Sequence, residues 1–92
     1  MSTVNVRYYA NLRDVTRTRE ENISGVDKIS DLINFLIERY GREFRDKLFI
    51  GDLPRENIII LVNGKNIIFL SKMETKLNEG DNVDIFPPVA GG

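Results

Sequence analysis

Between residues 29 and 40 the apolar side chains Ile29, Leu32, Ile33, Leu36, Ile37 and Tyr40 recur at i, i+3, i+4, i+7, i+8 and i+11. That spacing puts them on one stripe of a single helix of about 12 residues. A stripe of this width is stable in water only against another apolar surface, and no second segment repeats the 3.6-residue period over a comparable length. The surface must be a sheet, and the flanking sequence supplies the strands. Asp27 or Ser30 is placed to cap the helix start, Gly41 sits where a left-handed C-terminal residue is wanted, and Phe35, off the stripe, is placed to pack under the next loop.

Before the helix, Val4, Val6 and Tyr8 alternate with Asn5, Arg7 and Tyr9, the period of a half-buried strand whose first set faces the core. Asn11 to Asp14 reads as a turn, and the polar stretch from Thr16 to Ile23 as an edge strand. After the helix, residues 42–56 read as a connecting segment, in which Phe44 and Leu48 lie four apart and Gly51-Asp52-Leu53-Pro54 has turn chemistry. Ile58 to Val62 is apolar on both faces, Asn63-Gly64 is a strong hairpin signal, and a return strand is expected over Asn66 to Phe69. Leu70 to Asn78 reads as irregular. Glu79-Gly80-Asp81 turns into a last strand, Asn82 to Phe86, with Val83 and Ile85 inward. The order β, β, α, β, β, β gives an α+β chain in which one helix covers one face of a mixed four- to five-stranded sheet.

Parity then fixes the other face. If Ile60 and Val62 point inward, the outer surface carries Arg7, Tyr9, Ile59, Leu61 and Phe86, more large apolar surface than a small monomer ordinarily shows, and it reads as a docking patch. Ile67 or Ile68 is a weaker candidate for the same contact. Lys65, and the local cluster of Arg13, Arg17 and Arg19, read as solvated charges.

Composition narrows the chemistry. The chain has 92 residues, enough for one core, and neither cysteine nor histidine. Thiolate nucleophiles, disulfides, imidazole bases and zinc sites are excluded. Thirteen basic against fourteen acidic residues give a net charge of −1, so no electrostatic footprint for nucleic acid or an anionic membrane is expected. No apolar run has the length of a membrane span. Met1 to Asn5 shows no secretory signal pattern, so a cytoplasmic protein is expected.

What remains is the end, Phe86-Pro87-Pro88-Val89-Ala90-Gly91-Gly92. It holds no side-chain nucleophile or charge, so its only reagent is the Gly92 α-carboxylate. Two prolines cannot donate to a ladder and are expected to push the chain off the sheet edge. Gly91 and Gly92 present a thin peptide able to enter a narrow channel. Six residues beyond Phe86 span about 20 Å. The division expected is a body over 1–86 and a flexible tail over 87–92.

Val6-Arg7-Tyr8-Tyr9-Ala10-Asn11-Leu12-Arg13, the helix with Asp31-Leu32-Ile33, Leu61-Val62-Asn63-Gly64, Glu79-Gly80-Asp81-Asn82-Val83 and the closing Phe-Pro-Pro-Val-Ala-Gly-Gly resemble, in that order, the MoaD family. Members of that family are ubiquitin-like β-grasp sulfur carriers, the small subunit of molybdopterin synthase. The resemblance implies that a ubiquitin-activating-like adenylyltransferase uses ATP to adenylate Gly92, and that a sulfur donor then leaves a thiocarboxylate. The large subunit of molybdopterin synthase would receive that sulfur for a cyclic pterin precursor. It further implies that Pro87, Pro88, Val89, Ala90 and Gly91 set reach and approach, that Phe86 and Tyr9 dock partners, and that the domain itself binds no cofactor or metal. Residues 42–56 match no part of the family pattern, and Leu70 to Leu77 is longer than in its shortest members. Two other readings stand beside this one. One is a modifier joined through Gly92 to lysines, or a carrier for another pathway such as tRNA thiolation or thiamin synthesis. The other is a binding module with an inert tail.

Overall fold

The structure, a computed structural model, describes residues 1–88. Strand β1 (Ser2–Tyr8) is followed by a short helix α1 (Leu12–Thr16), strand β2 (Glu20–Val26), the main helix α2 (Ile29–Tyr40) and a second helix α3 (Arg42–Leu48). Two short strands, β3 (Phe49–Ile50) and β4 (Leu53–Pro54), make a separate ribbon. Strands β5 (Ile59–Val62) and β6 (Lys65–Asn66), 3₁₀ turns at Ile67–Phe69 and Lys72–Glu74, and β7 (Asn82–Phe86) complete the chain. The main sheet runs β2-β1-β7-β5-β6, parallel only between β1 and β7. It is the mixed sheet under one helix that the pattern requires, the β-grasp arrangement.

The two periodicities meet as expected. Val4, Val6 and Tyr8 of β1, Ile60 and Val62 of β5, and Val83 and Ile85 of β7 are buried. They belong to the same core as Ile29, Leu32, Ile33 and Leu36 of α2. Neither Asp27 nor Ser30 caps α2. Lys28 takes the extended capping position, and the Asp31 carboxylate, one turn in, accepts from the backbone N–H of Asp27 at 3.1 Å and of Lys28 at 3.2 Å. An anion there also faces the positive end of the helix dipole. Gly41 ends the helix with φ +82° and ψ −160°, a backbone region essentially closed to other residues, and its N–H bonds to Ile37 O at 2.7 Å. Phe35 does not pack under a loop. Its side chain is exposed on the outer side of α2.

Several expectations are corrected. Asn11 to Asp14 is not a simple turn but the entry to α1, whose Leu12 and Thr16 are buried and which Arg17 ends at φ +60°. The edge strand starts at Glu20 rather than Thr16. Residues 42–56 are more than a connection. Their Phe44 and Leu48 lie on the buried side of α3, and the Phe44 ring packs edge-on to Tyr8 with centroids 6.4 Å apart. The hairpin at Asn63-Gly64 forms with both residues at positive φ, as a two-residue primed turn needs. Its return strand, however, stops at Asn66, where the side-chain carbonyl accepts the N–H of Ile68 at 3.1 Å and turns the chain into a 3₁₀ helix.

On the helix side of the sheet, Glu21 of β2 gathers the aromatic end of the core. Tyr8 donates to Glu21 Oε2 at 2.6 Å, Tyr40 donates to the same oxygen, and Arg39 Nη1 lies 3.4 Å from Oε1. Burial, then the bonds to Glu21, raise both phenols, Tyr40 to about 12. An unfolded tyrosine releases its proton near pH 10. Between these values the unfolded chain binds fewer protons than the folded one, so stability falls as pH rises through that window. Tyr40→Phe should therefore cost roughly 1–2 kcal/mol at pH 8, and the deficit should shrink from pH 10 to pH 12. Urea unfolding at pH 8 and pH 11 checks this, and a deficit independent of pH would refute it.

Candidate functional site

The expected tail leaves from the middle of the sheet rather than from its edge. β7 is paired on both sides, with β1 in register Arg7↔Asp84 and Tyr8↔Ile85, and with β5 in register Ile59↔Phe86 and Leu61↔Asp84. Pro87 ends this ladder because it has no N–H to give. It does not project into solvent: Pro87 is buried and Pro88 half-buried. Pro88 lines a hollow of about 440 Å³ with Ile50 and Leu53 of the ribbon, and Pro54, Arg55, Glu56 and Asn57. The expectation that the chain departs from the body directly after Phe86 is thus corrected through Pro88. Val89, Ala90, Gly91 and Gly92 lie outside the described residues. Four residues beyond Pro88 would span about 13 Å.

On the sheet face opposite α2 the structure brings together Arg7, Tyr9, Ile59, Leu61 and Phe86. The Tyr9 and Phe86 rings stack with centroids 4.1 Å apart and planes 16° from parallel, and the Arg13 guanidinium sits 5.4 Å from the Tyr9 ring centre. Ile59 is 42% exposed and Leu61 half-buried. Ile67 does not belong to this surface. The turn after Asn66 rotates it into the core, where it is 6% exposed, and leaves Ile68 and Phe69 outside. Lys65 is exposed at the hairpin, as expected.

The residue that organises this face was not among the candidates. Asp84 stands at the centre of β7 with its side chain 8% exposed. Its Oδ2 accepts from Arg7 Nη2 at 3.1 Å, and Oδ1 accepts from the Tyr9 hydroxyl at 2.9 Å. Arg7 Nε lies 2.6 Å from Oδ1, close enough for attraction but with its N–H off the line of a hydrogen bond. The bond and charge of Asp84 raise the Arg7 pKa further, and its bond raises Tyr9. The guanidinium stays a cation and the phenol a donor. The signal was in the alternation itself. Val83 and Ile85 inward force Asp84 outward, onto the side of Arg7.

Among the described residues no group of three acidic side chains is gathered to hold a metal ion, and no helix is long and apolar enough to cross a membrane.

A mixed five-stranded sheet clasped by one main helix, with β1 and β7 parallel at its centre, defines a ubiquitin-like β-grasp protein. The chain belongs to the ThiS family, which it matches over residues 6–92, a family of ThiS/MoaD-like ubiquitin-like sulfur carriers. It is similar to small archaeal modifier protein 3 of Haloferax volcanii, 30% identical over 95% of this chain and 96% of that one. It is 49% identical, over 70% of its length and 73% of the other's, to an Archaeoglobus fulgidus protein named provisionally as a sulfur carrier. The solution structure of small archaeal modifier protein 1 from Methanosarcina acetivorans superposes with a TM-score of 0.85, at 36% identity, covering 100% of this chain and 98% of that one.

The network makes unequal demands on its members. Asp84→Ala leaves Arg7 and Tyr9 without their shared acceptor and should lower stability by roughly 1–3 kcal/mol. Tyr9→Phe keeps the ring stack and gives up one hydrogen bond, about 1 kcal/mol. Equal losses in urea unfolding would show that Asp84 does not organise the face.

Proposed function

We propose that the protein is a sulfur carrier whose reagent is the Gly92 α-carboxyl group, and that it serves as the small subunit of molybdopterin synthase. The observation that carries this reading is the ending Phe86-Pro87-Pro88-Val89-Ala90-Gly91-Gly92, which follows the central strand at the rim of the open apolar face. Membership of a sulfur-carrier family supports the general chemistry. The molybdopterin assignment is supported by the ending alone.

A carboxylate is a poor electrophile, so a ubiquitin-activating-like adenylyltransferase first activates it. A Gly92 oxygen attacks the α-phosphorus of ATP, pyrophosphate leaves, and a mixed anhydride with AMP results. A sulfide-level donor then attacks the acyl carbon and expels AMP, and a thiocarboxylate remains. In the large subunit the thiocarboxylate would give its sulfur to the cyclic pterin precursor and return as a carboxylate. The chain itself contributes position. Tyr9, Phe86, Ile59 and Leu61 dock the partner, and the Cβ-free end enters its channel. With no cysteine in the chain, no internal thiol competes for the activated acyl group. ATP belongs to the activating enzyme and the carrier holds no cofactor, which fits a cytoplasmic setting.

A second reading, favoured by the similarity to two small archaeal modifier proteins, replaces the sulfur nucleophile with a lysine amine. The same adenylate would then give an isopeptide. Intact-mass measurement of the protein from its native host separates the two. One oxygen-to-sulfur exchange at Gly92 is expected, whereas Gly-Gly remnants on lysines of other proteins would establish the modifier role. Deleting Gly92 should abolish transfer and leave the thermal midpoint unchanged. Full transfer by the deleted protein would overturn both readings.

A further inference from the structure

We propose that the Arg7–Asp84 pair selects the partner that covers the open face, and that this partner presents a carboxylate opposite Arg7 within an otherwise apolar contact surface. The inference rests on the reading of Gly92 as an activated terminus and adds the chemistry of the enzyme that reaches it.

Asp84 is satisfied from within the chain. Its carboxylate takes Arg7 on one oxygen and Tyr9 on the other, and it is almost wholly covered. Arg7 is not. Its side chain is 43% exposed, and among the described residues one directed bond, to Asp84, uses one of its five N–H donors. On this face Arg7 is flanked by Asn5 and Tyr9 along its own strand and by Asp84 on β7, with Phe86 further along β7, while Ile59 and Leu61 stand one strand beyond on β5. The other charge opposite it is Glu20, its register partner on β2, at the exposed edge of the sheet. In the free protein, water serves the exposed Nη donors, while the covered Nε faces Asp84 Oδ1 off the line of a hydrogen bond.

A partner that covers Tyr9 and Phe86 also covers this spot. Arg7 is level with Asp84, two residues before Phe86 on the central strand, and so about 8 Å from Phe86, allowing for one strand spacing. Covering it removes the water. A purely apolar surface would leave charged donors unpaired and desolvated, and a basic one would repel them, whereas a carboxylate restores the bonds. Discrimination arises as the difference between these cases.

The test uses the host's own ubiquitin-activating-like adenylyltransferase and ATP–pyrophosphate exchange, with the carrier as varied substrate. Replacing both members, Arg7→Leu with Asp84→Ala, removes the charges together, so the fold should persist with an equal or higher thermal midpoint. The KM for this carrier should rise at least about tenfold with kcat within about twofold. The unaltered carrier's KM should climb with added salt while that of the double variant stays flat. Arg7→Lys, which keeps the charge, should fall between them. If the double variant unfolds, Arg7→Gln carries the same KM and salt expectations, because it keeps a donor for Asp84. Normal exchange with unchanged KM and equal salt response in these variants overturns this inference alone. No exchange with the unaltered carrier overturns the activated-terminus reading and this inference with it.

Discussion

Burial of one sheet face under α2 is the interaction on which everything else depends. Val4, Val6, Tyr8, Ile60, Val62, Val83 and Ile85 meet Ile29, Leu32, Ile33 and Leu36 in one dry layer. Because side chains alternate along a strand, filling that layer assigns every intervening residue to the opposite face. Arg7, Leu61, Asp84 and Phe86 are displayed there because their neighbours are needed inside. The make-up of the open face is thus set by the strand register that the core imposes.

Within that face the charged pair and the aromatic stack form one unit. Asp84 holds the hydroxyl of Tyr9, and Tyr9 lies flat on Phe86, the last residue of the ladder. A buried carboxylate is tolerated because two donors reach it from β1, one from Arg7 beside it and one from Tyr9 just past the strand's end. The cation over Tyr9, from Arg13, comes from α1. Elements distant in sequence therefore converge on the residue that precedes Pro87, and the direction in which the terminus sets out is defined by side chains on the central strands.

Much of this was legible in the sequence where a single periodicity ran long enough. The stripe from Ile29 to Tyr40 gave the helix and its length, though not its cap, and strict alternation gave both central strands. Asn63-Gly64 gave the hairpin, and parity placed Tyr9, Ile59, Leu61 and Phe86 together. The failures share a cause: short elements decided by contacts the local pattern does not contain. α3 has only Phe44 and Leu48 to announce it, and they become a buried face only because Tyr8 and Tyr40 are there to meet them. The strand expected through Phe69 failed because the Asn66 side chain captured a backbone N–H, which sent Ile67 inward. Pro87 was read from its missing donor, correctly for the ladder, but nothing local says that it will be covered. Asp84 was overlooked although its parity was available, because a lone aspartate in a strand reads as solvent-facing until its register partner proves to be an arginine.

The place of β7 has one more consequence. Among the described residues β7, hydrogen-bonded on both sides, is the one strand that joins the β1–β2 and β5–β6 halves of the sheet. A nascent or truncated polypeptide lacking it leaves two unjoined hairpins with raw inner edges and no finished core. Closure of the sheet, and with it the open face that carries Tyr9 and Phe86, therefore waits on β7.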